Sequence, residues 1–204
     1  MATQRERSEA TQQRILEAAV RVLVQHGYAA ASTTRIVEEA GVSRGAMLHH
    51  YPNKAVLMES VLQHVLQVRE QAFHDALQNA GGADPVAAVI DAFWDAVGAE
   101  EAFVPWLELT VAARTEPRLR EVLGKAADDI LEVILANFRR LFDLSESPYA
   151  EILPSLGIAL LQGLAMQDVI HEKPGRSEMV LMVVKWLARG MLVPTPPPKL
   201  EDPG

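Results

Sequence analysis

Arg44, Gly45, Ala46 and His49 fall within seven residues, between Ser43 and Tyr51, and together they suit contact with a polyanion. A guanidinium donates to the O6/N7 edge of a guanine or to a phosphate. Glycine and alanine leave room for a backbone to come close to a groove. Other chemistries fit the chain less well. His49 and His50 are adjacent, so on a helix they point about 100° apart and do not share one metal. Asp168-x-x-His171 occurs once, where a di-iron bundle needs two such pairs on facing helices. Glu70 and His74 share a helical face alone and read as a solvated pair. The chain has no cysteine and no Gly-x-Ser-x-Gly, phosphate-loop or His-Glu-x-x-His motif. No metal, no cofactor and no enzyme activity is therefore expected.

The elements that must position Arg44 are helices. Ala, Leu, Val, Glu and Gln dominate, aromatics are 5%, and alternating β-branched runs are scarce, so the expected class is all-α with little or no sheet. Ile15, Ala18, Ala19, Val22 and Leu23 recur at helical spacing and predict a first helix over 8–26, stopped by Gly27. Ser32 or Thr33 can N-cap a short helix ending at Ala40 and Gly41, and Ser43 can N-cap another reaching His50. Two short helices joined by Gly-Val-Ser form the helix-turn-helix pattern over 32–51, with Ile36, Val37, Ala40, Val42 and Met47 closing a small core against Val22 and Leu23. An ordinary helical hairpin has the same pattern, so at this point both readings stand. Pro52 and Asn53 open a long helix over 54–79, closed by Gly81 and Gly82. Further helices are predicted near 85–98, 100–115, 117–142, 148–171 and 176–191. Pro105 should kink its helix or delay its start. A loop at 143–148 and a break at 173–175 separate the last three. Five prolines in the twelve residues from Val193 predict an extended or disordered tail over 193–204.

The 204-residue chain carries a net charge of −8, unevenly placed. Residues 1–54 hold seven Lys/Arg against five Asp/Glu, and 55–204 hold twelve against twenty-two. An N-terminal module of net +2 can approach DNA while the remainder, at −10, is held off. No apolar run reaches the roughly 18 residues of a membrane span, and the polar first ten residues lack a signal peptide's apolar segment, so a cytoplasmic protein with no membrane partner is expected.

The stretch TQQRILEAAVRVLVQHGYAAASTTRIVEEAGVSRGAMLHHYPNKAVLMESVL resembles the DNA-binding domain of the tetracycline-repressor (TetR) family over about residues 9–69. The resemblance rests on ordered features: Ile-Leu-x-Ala-Ala in the first helix, the Gly-Tyr after it, the Thr-Thr pair, the Ala-Gly-Val-Ser turn, and Gly-x-x-x-x-His-Tyr-x-x-Lys. It implies backbone contacts from Thr33 and Thr34, a recognition helix carrying Arg44, Gly45, Ala46, His49 and His50, and phosphate contacts from Tyr51 and Lys54. Leu48 departs from a frequent tyrosine and Ala46 from a frequent threonine, which puts the operator sequence in doubt.

The resemblance further implies domains at 1–54 (helix-turn-helix), 55–192 (an α-helical effector-binding and dimerisation bundle) and 193–204 (the Pro-rich tail). Segments 155–170 and 179–192 are apolar around most of their circumference and must be covered on several sides. Leu161, Gly163, Met166, Trp186 and Leu187 are the expected dimer contacts. Phe93, Trp94, Phe103, Trp106 and Phe138 are the expected lining of a small-molecule pocket, although core packing accounts for any one of them as well. Glu100, Glu101 and Glu108 can neutralise a cationic ligand or form an exposed acidic face. The resulting reading is a homodimeric repressor released from a palindromic double-stranded operator by a small-molecule effector. The alternatives are a regulator acting without a ligand and a helical small-molecule-binding protein whose helix-turn-helix is only structural.

Overall fold

The computed structural model describes residues 3–79, 84–98, 100–143, 152–170 and 175–194. Among these the chain forms α1 (Gln4–Ala30), α2 (Thr33–Ala40), α3 (Arg44–His50), α4 (Lys54–Asn79), α5 (Pro85–Gly98), α6 (Glu100–Ala112), α7 (Pro117–Leu141), α8 (Leu153–Ile170) and α9 (Arg176–Arg189). The predicted helices are all present. Two residue pairs, β1 (Phe142–Asp143) and β2 (Val193–Pro194), add an antiparallel bridge in which Phe142 faces Pro194. The beginning of the predicted tail is thus paired with the end of α7, and Leu192 before it is buried. Gly81, Gly82, the loop after Asp143, His171 and residues 195–204 lie outside the described residues.

Local chemistry sets the boundaries. Thr3 and Glu6 form a reciprocal capping box at the start of α1. Gly27 is where α1 departs from helical geometry, at φ 71° and ψ 172°, which is the stop expected of it; a further turn follows to Ala30. Asn53 Oδ1 accepts the Val56 N–H at 3.0 Å and caps α4, and Asp84 Oδ1 does the same for the Ala87 N–H at the start of α5. α6 runs through Pro105, with Glu100 as its first residue.

The chain divides into two compact units, Met1–Ala72 with Val97–Asp128, and Phe73–Ala96 with Asp129–Gly204. These bounds differ from a linear split at residues 54 and 55. In the first unit, Ile15, Ala19, Leu23, Ile36, Met47, Leu57, Met58, Leu62, Leu109 and Leu119 belong to one buried cluster. The helix-turn-helix core is therefore larger than the small one expected, because α6 and the start of α7 complete it.

In the second unit, Phe93 packs on Phe73 with ring centres 4.4 Å apart, and Phe138 on Phe142 at 5.3 Å. Asp91 pairs with Lys185 at 2.5 Å and Asp84 with Arg189 at 2.5 Å, tying α5 to α9. The Arg189 partner and the α5 cap together hold the Asp84 carboxyl below its usual range. Ser177 Oγ donates to the Asp168 carboxylate at 2.6 Å and fixes α9 against α8.

α8 is long and apolar enough, by length and composition, to cross a membrane, with a mean hydropathy of 1.3 over its 18 residues. This corrects the expectation that no segment is. Pro154, Leu161, Leu164 and Ala165 are buried against the unit, and the same helix carries an exposed apolar row.

Candidate nucleic-acid interface

The turn between α2 and α3 is built by three devices. Ser32 Oγ accepts the Arg35 N–H at 3.2 Å and starts α2. Gly41 takes the left-handed conformation, φ 61° and ψ 38°, which costs a residue with a Cβ but not glycine. Ser43 Oγ accepts the Ala46 N–H at 3.1 Å and starts α3. A fourth device comes from α1: Arg14 Nη2 donates to Ala40 O at 2.7 Å and Gly41 O at 3.2 Å, satisfying carbonyls that α2 leaves open at its end. Nothing in the spacing singles Arg14 out, because it is one of several cations on the polar side of α1.

Ile36, Ala40 and Met47 are buried, with Val37 and Val42 packed against them. The opposite face of α3 carries Arg44, Gly45, Leu48 and His49, all exposed, with Ala46 half-buried at its edge. Arg44 has no ion pair or hydrogen bond within the chain among the described residues. Thr34 is exposed and Thr33 half-buried. Of the two histidines, His49 is exposed and His50 half-buried, with their rings edge-to-face at 5.3 Å. No cluster of three or more metal-ligating side chains exists among the described residues.

Two expected phosphate contacts are placed otherwise. Tyr51 is 2% exposed and its hydroxyl is covered, without a hydrogen-bond partner. Burial raises the phenol above its ordinary value of 10.0; the Gln12 side chain beside it offsets this in part, without completing a hydrogen bond. In this conformation Tyr51 is a core wedge. Lys54 donates from Nζ to Tyr28 O at 3.1 Å and lies 4.4 Å from the centre of the Tyr28 ring. Burial lowers its pKa, and Glu116 opposes the shift. The ammonium thus pins the start of α4 to the end of α1.

Tyr28 is held from its other side as well. Its N–H donates to Glu108 Oε2 at 2.7 Å. Glu108 therefore acts inward, against the expectation of an exposed acidic face, and connects α6 to the bend at Gly27. A Cβ at Gly27 would stand 3.1 Å from that carboxylate oxygen. Burial and the nearby Glu116 raise the Tyr28 phenol.

The five expected ligand residues fall in different units. Phe103 and Trp106 belong to the first, with ring centres 5.6 Å apart. Phe93, Trp94 and Phe138 belong to the second; Phe93, Phe138 and, in the first unit, Phe103 are buried core residues. Of the expected dimer contacts, Leu161 is 3% exposed and packs within its own unit, because it lies on the buried face of α8. Met166, Trp186 and Leu187 are exposed and Gly163 half-buried.

Near its N-terminus the chain carries a capped helix-turn-helix, α2 and α3, within an otherwise helical fold among the described residues. The family model for bacterial regulatory proteins, tetR family, matches residues 15–61, the segment that holds most of α1, all of α2 and α3, and the start of α4. The chain is 31% identical over 121 residues to the uncharacterized HTH-type transcriptional regulator Rv2912c of Mycobacterium tuberculosis, a match covering 59% of this chain and 62% of that one. The chain thus spans about 62% of the length of such curated relatives. Its fold is similar to that of a TetR transcriptional regulator from Chloroflexus aurantiacus (TM-score 0.78, 20% identity, covering 93% of this chain and 99% of that one). It is also similar to that of a transcriptional regulator from Saccharomonospora viridis solved with choline (TM-score 0.72, 21% identity, covering 91% and 98%).

Proposed function

We propose that the protein is a homodimeric repressor in the cytoplasm that reads a palindromic operator through α3 and leaves it when a small molecule binds. The observation that carries this reading is the exposed face of α3: an unpaired arginine, a glycine and a histidine on a helix whose backbone is fixed by Ser43, Gly41 and Arg14. In this reading Arg44 reads a base edge, Gly45, Ala46 and His49 admit close approach, and Thr33, Thr34 and His50 flank the backbone. Tyr51 and Lys54 position α3 and α4 rather than touch phosphates.

Dimerisation is proposed through α8 and α9. Twelve of the fifteen exposed large hydrophobics among the described residues lie between Ile152 and Met191, which is far more than a monomer's surface tolerates in one place. On α9 they are Met179, Met182, Val183, Trp186 and Leu187, a single stripe at helical spacing. A two-fold dimer then presents two α3 helices to two half-sites. The choline bound by the S. viridis protein supports a small-molecule effector. Of the aromatic residues, half-buried Trp106 on α6 is the proposed contact, with the buried Phe103 packed behind it.

The test is a mobility shift with DNA from upstream of the protein's own gene, with light scattering on the same sample. A dimer that retards one palindromic fragment at nanomolar concentration supports the reading. A dimer that binds no DNA more tightly than random sequence would leave a helical binding protein with a structural helix-turn-helix.

A further inference from the structure

We infer that Arg69, with Trp106 against the face of its guanidinium, is the anion-recognising group of a ligand site that takes a small monocarboxylate with an apolar body. The inference deepens the proposed effector reading and rests on it for the ligand's role, though not for its binding.

Arg69 is on α4, and its carbon Cζ lies 4.8 Å from the centre of the Trp106 ring on α6. Its Nη1 is covered and makes no hydrogen bond. Several other cations of the same unit have partners. Arg14 meets Ala40 O, Arg21 meets Glu39, Lys54 meets Tyr28 O, Arg118 meets Glu59 and Arg120 meets Ala113 O. Arg69 has only the ring. One helical turn away on α4 stand Val65, Leu66, Ala72 and Phe73, none of them acidic.

A covered cation with no anion is an arrangement that proteins avoid, because the lost hydration is not repaid. A tryptophan face repays part of it and leaves the in-plane N–H donors unused. Those donors form the fork that matches a carboxylate. Burial lowers the guanidinium to about 10, so it stays charged at neutral pH. A second unused group lies nearby in sequence: Thr110 Oγ1 is also covered and without a partner, one turn beyond Trp106 on the same face of α6. One cation and one hydroxyl suit a monoanion, whereas a phosphate dianion asks for more donors. The Trp106 ring, backed by the buried Phe103 at 5.6 Å, supplies apolar surface for the rest of the ligand.

The experiment uses the purified full chain with 1-naphthoate and benzoate as probes, their methyl esters as neutral controls and 1-naphthylmethylamine as the cationic one. Thermal shift and tryptophan fluorescence read binding, and a mobility shift in parallel reads operator release. The acids should give saturable stabilisation at millimolar concentration or below, which the esters and the amine do not. Arg69→Gln should weaken the acids by about tenfold or more, and Arg69→Lys by less. Without any ligand, Arg69→Met should melt about 2–5 °C above the wild type, because the uncompensated charge is gone. Esters that bind as well as acids, acids that bind Arg69→Gln as they do the wild type, no saturable shift with either acid, or an Arg69→Met protein that melts lower would each overturn the site. Acid binding that leaves the operator complex intact would refute the effector role alone. Operator binding without acid binding would refute the site and leave the regulator.

Discussion

Two exposed surfaces of this chain differ in nearly every respect. The α2–α3 surface is small and polar, built of Arg44, Thr34, His49 and glycine, with Leu48 its one large exposed apolar side chain. The α8–α9 surface is large and apolar, and includes Trp186 at 70% exposure. The first is rigid because its backbone is over-determined: two serine caps, a left-handed glycine and an arginine from α1 fix one short helix. The second is held from behind by Ser177, Asp168 and the pairs from α5 to α9, and among the described residues nothing covers its front. A surface built to meet water and phosphate can stay bare, whereas one that exposes twelve apolar side chains calls for a like surface. The contrast teaches that reading DNA depends on local geometry, while oligomerisation depends on area.

The largest expected effect tests the apolar surface. Trp186→Glu should leave helicity intact and turn a dimer into a monomer, raising the dissociation constant by about a thousandfold or more, since an interface aromatic of this size is worth ~4 kcal/mol or more when replaced by a charge. Leu161→Glu, on the buried side of α8, should instead destabilise the fold itself by about 3–5 kcal/mol. Light scattering and circular dichroism separate the two. Identical behaviour of the two variants would erase the distinction between the exposed and the buried sides of the α8–α9 surface.

A smaller effect tests the polar surface. Arg44→Ala should relax discrimination at one base position per half-site by about 1–3 kcal/mol while leaving the melting temperature unchanged. Lys54→Met should do the reverse. It should cost about 1–2 kcal/mol of stability through the lost Tyr28 contacts, and leave the salt dependence of DNA binding as it is. Operator binding over a series of single-base variants and salt concentrations distinguishes them. A loss of about one unit of salt slope per subunit in Lys54→Met would restore that lysine to the phosphate backbone.

How much of this was legible in the sequence follows from range. Caps and turns are local, so Ser32, Gly41, Ser43 and the helices they bound could be read from spacing alone. The apolar stripe of α9 was legible too, as an excess of apolar residues with no polar side to the helix. Leu161 was not, because a helix apolar all round does not say which face turns inward; only packing decides that. Arg14, Glu108 and Arg69 act across separations of about 26 to 80 residues, and one charged residue on an amphipathic helix looks like any other until the fold brings its partner near. The inward contacts of Tyr51 and Lys54 were hidden for a related reason. Their side chains have an apolar body and a polar tip, and the sequence does not say whether the tip turns out to a phosphate or in to the core.

Tyr51 allows the sharpest test of that last point, with the smallest effect. Its hydroxyl is covered and unpartnered, so Tyr51→Phe should remove a buried polar group at no packing cost and raise stability by about 1 kcal/mol near neutral pH. The pH dependence has a fixed sign. Burial raises the folded-state phenol above 10.0, so above that pH the unfolded chain releases a proton that the folded chain keeps. The folded state then binds more protons, and stability falls as pH rises from about 10 toward the raised folded value. Below pH 10 this group contributes no slope. Tyr51→Phe should lose its share of the alkaline fall, with the Tyr28 share remaining, so the gain in stability over wild type should widen above pH 10. Operator affinity at pH 7 should be unchanged, because a hydroxyl with no accessible surface has no phosphate to lose. Denaturant unfolding at pH 7 and pH 10.5 and one operator titration suffice. A Phe variant that is no more stable, yet binds operator about tenfold more weakly, would show that the hydroxyl turns outward on DNA and that the polar surface extends past the end of α3.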